Sequence, residues 1–379
     1  MARLSIFKIA AAILFCVLIN INAQENYIVR NISFLGNDSL SADNLLEQME
    51  FFETGWFADN LLFEDPFLFS EEIFQKDKIR IIRYYQREGF INANIDDIEF
   101  DMDNEDETID IKIFVNEHKP VMVDTVNLAL GDSIDQSLVK LIKDDLSLKA
   151  GIRFRDQQIN EDKLTIINQF ANRGYPYTKV NYKLYLDTSK TTVGIDWNIE
   201  LGKRSNFGEV IIEGNNRSDK EIIRNQVSFE NGDLYDSREL NKTQRQIYGL
   251  GIFYIVTVTP NLEEKPSNIP INIKIEELPR FNTEIGVGYG REEKFRISLD
   301  QKWLGFLGGA RQLQFYTKYS ALTPYHVRLN FIQPNFVVQE TKFSISPFVI
   351  RQTEPGFTIN RIGTDLTLQR PLFLILSAH

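Results

Sequence analysis

The sequence predicts α+β repeats followed by the opening strands of an antiparallel transmembrane β-barrel. Two observations carry this prediction. A strand–helix–helix–strand–strand pattern recurs three times before residue 279, and from Phe281 onward strict alternation of apolar and polar residues replaces it. Composition agrees with a folded chain: 43% hydrophobic and 25% charged residues fit neither a disordered protein nor a bundle of membrane helices.

Residues 1–23 read as a cleavable signal peptide. Arg3 and Lys8 give a charged start, Ile9 to Ile19 an apolar stretch, and Ala23 a small residue before Gln24. The apolar run is too short for a membrane-spanning helix. Phe15 before Cys16 also argues against a lipoprotein signal. Export is therefore expected, and cleavage removes the single Cys.

The first repeat is placed at residues 25–117. Its opening strand runs from Val29 to Gly36-Asn37, and Ser41 is expected to cap a helix reaching Met49. A second helix starts near Ser70, carries Ile79, Ile82 and Tyr85, and stops at Gly89; two strands, Phe90–Phe100 and Thr108–Val115, follow. The second repeat, 118–202, opens at Val123–Leu130 with Gly131. Its helix carries Leu164, Ile167 and Phe170, its corner is Arg173-Gly174-Tyr175, and it closes with Thr178–Leu186 and Thr192–Leu201. The third, 203–278, opens at Phe207 and turns at Gly214-Asn215, with Ser218 as cap. Leu240, Ile247 and Leu250 form its helical face, Gly251 its corner, and Ile252–Thr259 with Ile269–Glu276 its last strands. Each unit makes a small sheet covered on one face by helices, with an open edge able to pair with an extended peptide.

Residues 280–379 carry about six strands with one apolar and one polar face. Ile285, Val287 and Tyr289 alternate with Gly286, Gly288 and Gly290; Val327, Leu329 and Phe331 alternate with His326, Arg328 and Asn330. Alternation suits a soluble sandwich with its apolar side inward, or a barrel with that side in lipid. Aromatics assigned to strand ends (Tyr289, Trp303, Phe306, Tyr316, Tyr319, Tyr325, Phe336) and the preceding export signal favour the barrel. Six strands cannot close, so the chain is expected to be a C-terminally truncated form.

Chemistry-bearing constellations are sparse. One Cys (Cys16) and three His (His118, His326, His379) exclude a Cys/His metal site and make a Ser/His/Asp triad improbable. No catalytic, cofactor-binding or metal residues are expected. The acidic run Asp96–Asp110 places oxygens at calcium-loop positions one, three and five from Asp101, but Asp106 stands where Gly is needed and Lys112 where Glu is needed, so a solvated turn is the better reading. His118 is expected to be a hinge residue. Phe51, Phe52, Trp56 and Phe57 form either core or a partner patch. Net charge of −11 argues against nucleic acid as a partner.

Phe34-Leu-Gly-Asn37, Tyr84-Tyr-Gln-Arg-Glu-Gly-Phe90, Val210-Ile-Ile-Glu-Gly-Asn215 and Gly286-Val-Gly-Tyr-Gly290, in that order, resemble the BamA/TamA outer-membrane assembly family, with its POTRA repeats and surface-antigen barrel. Trp303-Leu-Gly-Phe-Leu-Gly-Gly-Ala-Arg311 is similar to the family's Asn-Leu-x-Gly-x-Gly turn, with Trp303 in the Asn place. Three repeats look like the TamA branch. The resemblance implies a non-enzymatic factor of the outer membrane with its repeats in the periplasm. Such a factor receives unfolded outer-membrane or secreted clients by edge-strand pairing and touches the lipid bilayer and a periplasm-spanning accessory protein. It also implies that Ile285, Gly286, Val287, Gly288, Tyr289 and Gly290 form one side of a lateral seam. Gly36, Gly89, Gly131, Gly174, Gly214 and Gly251 would be the turn and corner glycines. The alternatives are a two-partner-secretion pore exporting a soluble protein and a barrel-anchored enzyme.

Overall fold

The computed structural model describes residues 27–50, 68–130 and 136–370. The expected signal peptide with Cys16, the Phe51, Phe52, Trp56 and Phe57 cluster, Gly131, and residues from 371 onward lie outside the described residues. Two compact units divide the chain: residues up to 166 with 180–200, and residues 167–179 with 201 onward.

The first unit contains two three-stranded sheets. One is built from β1 (Ile28–Leu35), β2 (Asn94–Asp103) and β3 (Thr108–Asn116), with α1 (Ala42–Leu46) and α2 (Glu71–Arg87) between β1 and β2. Its order is β1-β3-β2, with β1 parallel and β2 antiparallel to the central strand. Every second residue of β3, from Ile109 to Val115, is buried against the helices together with Val29, Phe74, Ile81 and Tyr85. The other sheet repeats this plan with β4 (Met122–Ala129), β5 (Lys179–Asp187) and β6 (Thr192–Glu200) in the order β4-β6-β5. Helices α3 (Gln136–Asp145) and α4 (Asp156–Ala171) lie between β4 and β5 in the chain.

The second unit opens with the third copy: β7 (Asn206–Glu213), α5 (Lys220–Arg224), α6 (Ser237–Gly249), β8 (Phe253–Pro260) and β9 (Asn268–Glu277), ordered β7-β9-β8. Phe207 stacks on Phe229 at 3.9 Å between centroids, within a core that includes Ile247, Leu250, Ile269 and Ile271. A six-stranded antiparallel sheet of neighbouring strands then follows: β10 (Phe281–Gly290), β11 (Lys294–Leu304), β12 (Gln312–Tyr319), β13 (Tyr325–Pro334), β14 (Lys342–Glu354) and β15 (Phe357–Gln369).

Several local expectations are corrected. Helix α1 stops at Leu46 instead of Met49, though Ser41 caps it through the Asn44 N–H. Asp219, not Ser218, caps α5, accepting from the Glu221 N–H. Ile79 and Leu164 point outward; the buried faces are Phe74, Asp77, Ile81 and Tyr85 on α2, and Ile159, Asp162, Ile166 and Phe170 on α4. A three-residue spacing drifts around a 3.6-residue helix, whereas the true faces step by three and four.

Each of these two faces hides an acid. Asp77 accepts the Glu50 N–H at 3.0 Å, and Asp162 accepts the N–H groups of Ser147 (2.6 Å) and Leu148 (3.0 Å). They tie down the loop after the first helix, leaving its amides no need of water. Burial pushes the Asp162 carboxyl above its usual range, against the two N–H groups that hold it down. Asp162→Ala leaves two donors unpaired in the interior and is expected to cost about 3 kcal/mol. Hydrogen exchange of the Ser147 and Leu148 amides measures it, and protection equal to that of the parent chain contradicts it.

Candidate functional site

Two kinds of feature remain after the packed cores are set aside: open strand edges and glycines with special surroundings. Gly36 and Gly214 sit at φ +82° and +88°, where an added Cβ would stand 2.2 Å from the Val115 carbonyl and 2.0 Å from that of Ile275. Only glycine fits so close to a neighbouring strand's backbone. The asparagines that follow complete the turn, since Asn37 donates to the Leu40 carbonyl and Asn215 to that of Ser218. A carboxylate at the end of the central strand or just past it holds the same loop: Glu117 accepts the Ser39 N–H, and Glu277 accepts the N–H groups of Arg217 and Ser218. Burial alone would raise the Glu277 carboxyl, but the Ser218 and Arg217 bonds outweigh it and leave it below its usual range.

The corner glycines do more than end helices. Gly89 (φ +93°) offers its carbonyl to the Val121 N–H at 2.8 Å, and Gly174 (φ +94°) offers its own to the Ser205 N–H at 2.9 Å. In both places the bond continues, from the Phe154 N–H to the Val121 carbonyl and from the Tyr235 N–H to the Ser205 carbonyl. Burial pushes the Tyr235 hydroxyl up to about 12. Gly251 serves the following sheet in the same way: the Gln312 side-chain amide donates to the carbonyls of Leu250 and Gly251 at 3.2 and 3.3 Å. A Cβ on Gly251 would stand 2.7 Å from that amide nitrogen. The turn between β13 and β14 adds two more contacts, with Asn335 donating to the Gln226 side chain and Gln339 to the Asn225 carbonyl. Sequence reasoning missed Gln312, Asn335 and Gln339, because polar residues at strand ends have no periodic signature.

Strand β10 pairs only with β11 among the described residues and is one edge of the sheet. Ile285, Val287 and Tyr289 stand 69%, 70% and 76% exposed on its apolar face. Gly286 and Gly288 occupy the polar face and make room for β11: a Cβ would meet the Ser298 hydroxyl and the Arg296 Nε, each at 2.5 Å, whereas Gly290 meets nothing within 4 Å. The same apolar face continues to β15, where Ile362, Leu366 and Leu368 are exposed.

Ion pairs line the opposite face, among them Lys318–Glu293 at 2.9 Å and Arg328–Asp365 at 3.0 Å. Tyr316 belongs to that polar face, opposite Asp300 and Arg328 and edge-on to His326, so it is not part of an interfacial girdle. Trp303 does sit on the apolar face, paired with Phe281 and Leu313. A lone layer with one oily and one charged face suits a barrel wall, where lipid covers the first and the lumen the second.

The remaining candidates resolve into turns. Asp103 accepts the Glu105 and Asp106 N–H groups, so the acidic run closes its own hairpin between β2 and β3. His118, at φ +52°, contacts the Asn94 side chain at 2.9 Å. Among the described residues no group of three or more His, Cys, Asp or Glu is placed to hold a metal ion.

A family model, POTRA (surface antigen variable number repeat), matches residues 27–118, 137–202 and 205–278, more than half of the chain. This chain belongs to the POTRA family. Its relatives include outer membrane protein assembly factors of BamA type. Outer membrane protein assembly factor BamA of Neisseria meningitidis is 25% identical over 72% of this chain and 34% of its own length. A putative outer membrane protein assembly factor of Treponema pallidum is 21% identical over 77% of this chain and 35% of its own. The chain thus spans about a third of the length of these curated relatives. Among solved structures, Haemophilus ducreyi BamA lacking POTRA domains 1–3 superposes with a TM-score of 0.51 at 19% identity, covering 65% of this chain and 47% of that one. The fold is therefore POTRA repeats followed by the first strands of an antiparallel barrel.

Proposed function

We propose that this POTRA chain is the client-receiving and membrane-entry portion of an outer-membrane protein assembly or translocation factor. It is a non-enzymatic protein, exported through residues 1–23, with POTRA domains at 25–117, 118–202 and 203–278 in the periplasm and residues 280–379 in the outer membrane. Three repeats favour the TamA-like branch. Clients are unfolded outer-membrane or secreted polypeptides, which add as a strand to an open POTRA edge and pass to a seam at β10; an accessory periplasmic protein completes the route.

The observation that carries this reading is the combination of POTRA sheets that have edge strands with a barrel sheet whose first strand is, among the described residues, a glycine-bearing edge paired only with β11. Unpaired backbone groups in hydrocarbon cost several kcal/mol each, so such an edge needs a partner strand. A strand with few side chains on one face holds its register weakly and exchanges partners readily. A photoreactive residue at Val287 is expected to label a client or a partner barrel strand in outer-membrane vesicles, while one at Ile345, inside the sheet, is not. Equal labelling from both positions would contradict the seam.

A further inference from the structure

The three POTRA edges are not equivalent. Each sheet has two edge strands, and one of them is the strand that follows its second helix: β2, β5 and β8. In the third repeat the Asn261 N–H bonds the Pro270 carbonyl, which continues the pairing of β8 with β9. Antiparallel strands turn successive residues alternately toward and away from their partner. Val256, Val258 and Pro260 therefore present their backbone groups to the free side, and an added strand would have to bond them.

Two of these three residues are compromised. The Gln244 side-chain amide, reaching over from α6, donates to the Val256 carbonyl at 3.0 Å. Pro260 has no N–H to give. Only Val258 keeps both groups for a newcomer, too few to hold an extended segment in register. Strand β5 of the second repeat is built differently. It has no proline from Lys179 to Asp187, and it exposes Leu184, Tyr185 and Leu186 beside Tyr182, which packs edge-on against Trp197 at 5.6 Å.

We infer that the β8 edge of the third POTRA repeat is closed to strand addition by Gln244 and Pro260, and that the β5 edge of the second repeat is open to it. This rests on the strand-addition reading above and deepens it by making Gln244 a residue that decides where a client docks. The closed edge belongs to the repeat that Gln312 joins to the barrel sheet, so no client strand is held there.

The test uses the full chain with photoreactive benzoylphenylalanine at Tyr185 on β5 or at Thr257 on β8, both exposed positions. The probe is a synthetic peptide with the sequence of residues 294–304, an alternating strand. Tyr185 is expected to label the peptide and Thr257 not. Gln244→Ala combined with Pro260→Thr, both outside the buried core, frees one carbonyl and supplies one N–H, and should raise Thr257 labelling about tenfold. Labelling at Thr257 in the unopened chain, or none there after opening while Tyr185 still labels, overturns the closure and leaves strand addition standing. Labelling at neither position in either form overturns strand addition, and this inference with it.

Discussion

Leu329→Arg is expected to keep the barrel sheet out of the bilayer, while Asn330→Arg, one residue along the same strand, leaves insertion nearly unchanged. Leu329 lies on the apolar face in the middle of β13, across from Phe315, and is 40% exposed. Asn330 faces the other way and accepts a hydrogen bond from the Ser346 hydroxyl at 2.8 Å. A cation on the lipid face near the midplane costs about 2–4 kcal/mol, enough to reduce the inserted fraction roughly 30- to 1,000-fold. On the polar face the same cation finds Gln314 across the strand pair and, bonded to it, the Asp300 carboxylate. Co-flotation with phospholipid vesicles reads the difference. Equal losses for both variants would mean that both faces see the same surroundings.

Gly214→Ala should be the most damaging single-methyl change in the third repeat. Gly232 makes the comparison, because it also has positive φ (+97°) but nothing lies within 4 Å of its missing Cβ. Gly232→Ala therefore costs only the left-handed conformation, about 1 kcal/mol. Gly214→Ala adds a methyl 2.0 Å from the Ile275 carbonyl, so β7 and β9 must separate or the turn must rearrange. A total of about 3 kcal/mol or more is expected. Hydrogen exchange of the β9 amides distinguishes the two variants, and equal exchange would show that the close approach does not matter.

Much of this was legible in the sequence because it depends on local pattern. The Gly-Asn turns and the helix-Gly-aromatic corners mark the repeats, since left-handed backbone and tight approach admit little but glycine. Strict alternation after Phe281 marks the barrel strands, and all six pair in chain order. The helix faces escape the apolar pattern where a polar residue faces the core. Asp77 and Asp162 look like solvent-side acids, and only the loop amides folded over them explain their burial. The glycines of β10 stand out in the sequence, but their service to Ser298 and Arg296 depends on cross-strand register, which one strand alone does not disclose. Residue type alone groups Tyr316 with the girdle; its parity with Gln314 and Lys318 places it on the polar face. The joints were out of reach for a different reason. Gln312 and Gly251 are 61 residues apart, and nothing in either neighbourhood announces the other.

A membrane wall requires lipid against the apolar face of β10–β15. Spin labels placed one at a time at Val327, Arg328, Leu329, Asn330 and Phe331, with the chain in phospholipid vesicles, measure this directly through collisions with oxygen and with a water-soluble nickel complex. A two-residue period is expected, in which positions 327, 329 and 331 meet oxygen but not nickel, while 328 and 330 meet nickel. Positions 327, 329 and 331 shielded from both reagents would mean that these side chains pack inside protein, and would contradict the membrane wall.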